Sequence, residues 1–337
     1  MSASPQDREG QEAAGTLVAL APAKVNLGLF LGAPRATDDR HELVSVMQSI
    51  SLADEVALQA APAGAGADEV VCPGVDLGEG ENLAAAALRA FRQATGWQAP
   101  PLRLSILKRI PVAGGLAGGS GDAAAALRLA AFASGLGDAP LLHELAATLG
   151  ADVPAQLAPG RWLATAAGDR LEALPAPSPA LGVLVVPLAA ELSAAAVYAE
   201  ADRLALARDA QALEQRRRAL QAALALGAPL PAERTLLHND LQAAALSLCP
   251  AIGSALTEAR EAGAEHALVS GSGPTVVGLF ARANAGARAE RAAASLAGRT
   301  PAPAWAVSVQ AGFAAPRSVG ADSAACGLGS HGRQPRT

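Results

Sequence analysis

Lysine is nearly missing from this 337-residue chain. Only Lys24 and Lys108 occur, and every other basic residue is arginine. Aromatic residues are scarce at 3%, with Tyr198 the single tyrosine. The three cysteines, Cys72, Cys249 and Cys326, are far apart and odd in number, which argues against a disulfide framework and a zinc site alike. No uninterrupted apolar run is long enough to span a bilayer. Residues 1–15 hold no apolar stretch of the kind a secretory signal needs. The formal charge of −5 speaks against a nucleic-acid surface, which draws its affinity from basic patches. These absences predict a soluble, cytoplasmic protein with no nucleic-acid or membrane partner and no metal site of its own.

What is present is a large apolar fraction, 51%, much of it alanine, which is ample for a buried core. The polar ends, 1–15 and 315–337, read as disordered tails. Strand-like runs occupy 16–20 and 25–31, parted by a Pro-containing break, and further strands are expected at 54–61 and 102–110. ENLAAAALRAFRQATG reads as a helix capped by Asn82 and stopped by Gly96. A hairpin is expected over 161–174, a strand from 181, helices through 195–225 and after HNDLQ, then strands at HALVS, TVVGLFA and AWAVSV. The proline-rich run at 175–179 suggests a boundary. The class is α+β, with two domains at 16–172 and 173–314.

One stretch carries chemistry: PVAGGLAGGSGDAAAAL, residues 111–127. Bare backbone before a helix start suits an anion, because glycine lets the N–H groups approach it closely and the helix end is positive. A Walker A loop is excluded, since neither lysine stands in G-x-x-x-x-G-K-[ST]. Gly119, Gly121 and Ala124 match a dinucleotide fingerprint only loosely, and Pro111 and a loop separate them from the preceding strand. A plain glycine-rich turn stays open on this stretch alone.

The stretch resembles the phosphate loop of the GHMP small-molecule kinases. APAKVNLGLFLG, HELVSVMQSISLADEV, LGADVPAQL, HNDLQ and SGSGPTVVGLF stand in the order found in the branch that acts on 4-diphosphocytidyl-2-C-methyl-D-erythritol. The resemblance covers about residues 17–313. It implies a ribosomal-protein-like N-terminal domain, a C-terminal α+β domain and an active site in the cleft between them. It implies ATP and Mg²⁺, and phosphorylation of the 2-hydroxyl of a small substrate bearing a cytidine diphosphate group, in isoprenoid precursor synthesis.

Residue by residue, the resemblance makes Asp152 the group that accepts or orients the hydroxyl proton and Lys24 its catalytic partner. Pro111, Val112, Ala113, Gly114, Gly115, Leu116 and Ala117 would wrap the ATP phosphates with Gly118, Gly119, Ser120 and Gly121, Ser120 lying near the metal or a phosphate oxygen. Asn82 and Lys108 would reach the adenosine. Asn26, Arg40, His41, Tyr198, Gly271 and Gly273 would bind substrate, His41 reading the cytosine edge and Tyr198 stacking on the base. Asn239 and Asp240 read as helix-capping residues.

Three positions depart from the pattern. Arg40 replaces a usual tyrosine, Ala194-Ala195 replaces Thr-Pro, and Thr165-Ala166-Ala167-Gly168 replaces a more glycine-rich turn. All fall on the substrate side, so a homoserine- or mevalonate-type kinase is the first alternative. A non-catalytic binding protein on the same fold is the second.

Overall fold

The computed structural model describes residues 15–75 and 82–319. Two long antiparallel strands, β1 (Thr16–Pro34) and β2 (His41–Ala60), lie at the centre of a seven-stranded sheet. The other members are β3 (Glu69–Val71), β4 (Leu102–Leu107), β5 (Arg161–Thr165), β6 (Arg170–Leu174) and β11 (Arg317–Val319). The last half of β2 pairs with β4 and the first half with β5, which turns back into β6 as the expected hairpin. Four helices serve this half: α1 (Leu83–Thr95), α2 (Gly118–Ser134), α3 (Ala139–Leu149) and the single turn α4 (Val153–Leu157). Asn82 and Gly96 delimit α1 as the sequence predicts: Asn82 Oδ1 accepts from Ala84 N at 2.8 Å, and Gly96 is left-handed.

The alanines of α2 have a packing cause. Ala123 through Leu127 are all buried between the sheet and α1, and larger side chains would push these layers apart. Gly121, expected to wrap the phosphates, is buried in this packing and does not line the cleft described below. A Cβ there would meet the Pro22 carbonyl oxygen at 3.2 Å.

The second sheet has the order β10–β7–β9–β8, all antiparallel: β7 (Gly182–Val186), β8 (His266–Val269), β9 (Val276–Phe280) and β10 (Ala304–Val307). Helices α5 (Ala194–Arg203), α6 (Ala210–Leu224), α7 (Gln242–Leu248), α8 (Ala251–Glu261) and α9 (Ala285–Ser295) complete this half.

β1 is one strand, where a break at APAK was expected. Pro22 is absorbed by a register shift between Pro22 and Ala23 instead of ending the strand. From Ala21 to Gly32 every residue is buried, so both faces are covered and the alternation that marks a half-exposed strand is lost. Ala19 and Ala21 pack with α1 and α2, Val25 and Leu27 with α6 and β7, and Leu29 and Leu31 with α7, α8 and α9. The two halves therefore share a continuous spine. Residue 172, the expected cut, lies inside β6, and the proline-rich run follows that strand. A C-terminal tail was expected from 315, but Arg317–Val319 pairs with β1 as β11. The remainder of both expected tails lies outside the described residues.

Candidate active site

A cleft of about 740 Å³ opens between the two halves. Its phosphate-loop wall is built from β2 upward. Asp54, fully buried on β2, accepts from Arg109 N at 2.5 Å and Ile110 N at 2.8 Å, and also from the Lys108 ammonium. This anchors the chain as it leaves β4. Residues 111–117 then loop over the cleft, and α2 starts at Gly118 with left-handed Ala117 before it. No side chain caps α2, so the first-turn N–H groups are left facing the cleft that Gly118, Gly119 and Ser120 line.

The SGSGPT loop of the second half presses against this one. Gly115 has φ +73°, and a Cβ on it would lie 2.3 Å from the Ser270 carbonyl oxygen. Ser270 Oγ donates to Gly115 O at 3.2 Å. Asn239 holds the same loop from behind, donating from Nδ2 to Gly271 O at 2.7 Å and Val269 O at 2.9 Å. Gly271, at φ +56°, lies over the next pair of residues. A Cβ there would be 3.4 Å from Asn26 Oδ1 and 3.5 Å from Lys24 Nζ.

Lys24 and Asp152 meet in the middle of the cleft, with Nζ and Oδ2 3.5 Å apart. Lys24 is buried on β1, and its backbone N–H donates to Leu116 O at 3.0 Å, tying its position to the phosphate loop. Asp152 precedes α4, but its carboxylate makes no capping bond. The side chain therefore points to Lys24 and not to the helix it introduces.

Lys108 lines the cleft, yet its ammonium is already held by Asp54 and, at 2.8 Å, by Asp122 Oδ2. Burial draws its pKa down, but these carboxylates outweigh burial and hold it above the usual lysine range. Burial pushes the Asp122 carboxyl up to about 6, against the pull of Lys108. The expected reach of Lys108 toward adenosine is thus curtailed. Asn82, Val75, Leu83 and Cys72 line this end of the cleft.

The far end holds Tyr198 of α5, with Leu43, Met47, Ala164 and Ser193. Burial pushes the Tyr198 hydroxyl up to about 12, with the negative charge of Asp152 adding to it. Arg40 and His41, expected to line this pocket, do not. His41 Nε2 is 2.8 Å from Asp202 Oδ1, and its ring leans on Tyr198 with centroids 5.1 Å apart. The Arg40 guanidinium donates to Ala167 O at 2.9 Å and lies 3.7 Å from Asp169. Two departures from the expected pattern therefore meet each other, the arginine securing the altered 165–168 turn. At the third, Ser193 Oγ accepts from Ala196 N at 3.1 Å and caps α5 where Thr-Pro is absent. The cap position of α7 is Leu241, whose N–H donates to Asn239 Oδ1 at 2.9 Å, so Asn239 supports the entry to the helix from two residues ahead of the cap. Asp240 instead accepts from Leu31 N and forms a two-pronged pair with Arg208.

Two family models match the chain, GHMP kinases N terminal domain over residues 82–160 and GHMP kinases C terminal over 210–298. The 4-diphosphocytidyl-2-C-methyl-D-erythritol kinase of Kineococcus radiotolerans is 42% identical, the match covering 81% of this chain and 84% of the relative. The chain belongs to the GHMP kinases. Within them, a Streptomyces coelicolor protein of the same description is 43% identical over 77% of this chain and 85% of its own. A crystal structure of 4-(cytidine 5'-diphospho)-2C-methyl-D-erythritol kinase superposes with a TM-score of 0.67 at 30% identity, covering 87% of this chain and all but 1% of the other. Homoserine kinase from Cytophaga hutchinsonii shares the fold at 17% identity and a TM-score of 0.66, covering 92% of this chain and 99% of that one. As a GHMP kinase, the chain is an ATP-dependent small-molecule kinase.

Sequence patterns mark the loop and the Lys24–Asp152 pair but not Ser45, Asp54, Asp122 or Asp202. One signal was available. In a chain that otherwise uses arginine, the two retained lysines mark sites needing a compact ammonium, and both lie in carboxylate contacts.

Proposed function

We propose that this kinase transfers the γ-phosphoryl group of ATP to the 2-hydroxyl of 4-diphosphocytidyl-2-C-methyl-D-erythritol, in the cytoplasm. The observation that carries the reading is the Lys24–Asp152 pair beside the uncapped N-terminus of α2 in one cleft. The curated relatives described above supply the acceptor. The functional division is 16–174 for the ATP-binding half and the rest of the described chain for the other, with β11 returning to the first.

Phosphoryl transfer asks little covalent chemistry of the protein, so placement and charge carry the rate. Asp152 takes or orients the hydroxyl proton, and Lys24 holds the attacking oxygen. The N–H groups at Gly118, Gly119 and Ser120 receive the phosphate charge. Ser120 and Asp152 line the same cleft and suit the sparse protein ligation that Mg²⁺ accepts beside nucleotide oxygens. When bound, the ion neutralises phosphate charge. Tyr198 offers a flat face to the cytosine.

The test is ATP consumption against cytidine-linked methylerythritol, homoserine and mevalonate in parallel. Turnover confined to the first supports the proposal. Preference for either of the others refutes the named acceptor, and no turnover with any refutes the kinase reading of the pair.

A further inference from the structure

Behind the reacting pair runs a short relay of buried groups. Lys24 Nζ donates to Asn26 Oδ1 at 2.9 Å, Asn26 Nδ2 donates to Ser45 Oγ at 2.7 Å, and Ser45 Oγ donates to Gly28 O at 2.8 Å. Lys24, Asn26 and Ser45 are all buried. The two ends can each act in one sense only, because an ammonium only donates and a backbone carbonyl only accepts. Everything between is therefore forced. The Ser45 hydroxyl gives its proton to Gly28, which leaves its lone pairs for the Asn26 amide. The amide can then face Lys24 only with its oxygen.

An amide's two ends are nearly equal in shape, so packing alone does not choose between them. Without the Ser45 oxygen, nothing on that side demands the NH₂ group. The buried NH₂ group is then left without its acceptor, and the amide, held from the Lys24 side alone, swings off its line and takes the ammonium with it. Ser45 also lines the cleft, but with its proton and one lone pair engaged it has no hydrogen to donate to a bound molecule in the same state.

We propose that Ser45 is a positioning residue, which fixes the direction of the Lys24 ammonium by fixing the Asn26 amide. This rests on reading Lys24 and Asp152 as the reacting pair. It adds a residue that acts on the chemistry through the polarity of two hydrogen bonds.

The test compares wild type, Ser45→Ala, Ser45→Thr, Ser45→Cys, Asn26→Ala and the double variant Ser45→Ala/Asn26→Ala, with ATP and cytidine-linked methylerythritol. Small misplacement of a reacting group costs up to about 10²-fold, so Ser45→Ala is expected to lower kcat on the order of 10- to 100-fold with the ATP KM little changed. Ser45→Thr, which keeps the hydroxyl, retains most of kcat. Ser45→Cys keeps the volume with a weak donor, so it folds and falls between. In the double variant the Ser45 change adds little, because its effect passes through Asn26. Full kcat in folded Ser45→Ala or Ser45→Cys overturns the proposal, as does a double variant that loses the product of the two single effects. A second readout is independent of the acceptor: exchange of the Asn26 side-chain amide protons, followed by NMR. They are protected in wild type and released in Ser45→Ala. Unprotected wild-type protons overturn the relay, whereas protected protons in an enzyme inert toward that alcohol overturn the functional reading alone.

Discussion

Gly119 separates the role of the phosphate loop from its folding. Among the loop glycines it alone looks into open space toward the cleft: a Cβ there would meet only Leu83 Cδ1, at 3.8 Å. Gly118 is a poorer probe, because its Cβ would lie 3.3 Å from Lys108 Nζ and 3.2 Å from Ile110 Cγ2. Gly119→Ala places a methyl group where phosphate oxygens approach the backbone of the first turn of α2. The helix itself gains, since alanine is better than glycine there by roughly 0.5–1 kcal/mol. The lost contact is a charge-assisted hydrogen bond, about 1.5–3 kcal/mol, or about 10- to 150-fold in ATP affinity. Two measurements on one variant should therefore move in opposite senses. The melting temperature stays level or rises, while the ATP KM, followed by coupled ADP release, climbs at least tenfold on this estimate. An unchanged KM in the folded variant would refute the placement of phosphates at this turn. Gly115→Ala is the contrasting control, losing stability outright because its Cβ would overlap the Ser270 carbonyl.

The remaining predictions concern single side chains. Asp152→Asn should lower kcat by about 10²–10⁴ while leaving the ATP KM nearly intact, and retention of most turnover would reduce Asp152 to a bystander. Tyr198→Ala should raise the KM for the cytidine substrate by an amount equivalent to about 1–3 kcal/mol, with ATP kinetics unaltered; an unchanged KM would deny it the stacking role. Asp240 governs acid stability. Burial opposes its charge, but hydrogen bonds from His238, Arg208 and Leu31 N hold its carboxyl down at about 2. The ionised form is thus favoured in the folded state, and its contribution is complete above the ordinary aspartate pKa and lost as pH falls through about 2. Asp240→Asn should cost on the order of 1–2 kcal/mol at neutral pH, and the difference from wild type should shrink in acid denaturation series as pH drops below about 4. A difference constant across that range would place the effect in packing.

Local signals were the readable ones. Asn82 and Gly96 state the ends of α1 because a cap acts within four residues. The glycine loop announces its own backbone exposure. What sequence hides is pairing across distance: Asp54 serves Lys108 from 54 positions away, and Asp202 reaches His41 from 161. A lone aspartate ahead of Val-Pro looks like a cap until its carboxylate is seen to make no capping bond. β1 was read as two pieces for a related reason. Burial on both faces erases the alternation, and Pro22 then counts as a stop unless the bulge beside it is known. Arg40 could be predicted as a flat surface for a base, but its tie to Ala167 depends on a turn that only the folded chain brings near.

The unbroken run of β1 also limits how the enzyme can move. A jaw that opens by swinging two rigid bodies needs a slack joint between them, and here the joint would have to be made in the middle of a strand. That strand stays laddered to β2 along nearly its whole length, and Leu29 N donates to His238 O of the opposite half at 2.7 Å. Wide yawning would tear this seam. The gauge of the cleft is accordingly set by the fold, and the traffic of nucleotide and alcohol passes by adjustments at its lip, where Val112 already stands 64% exposed.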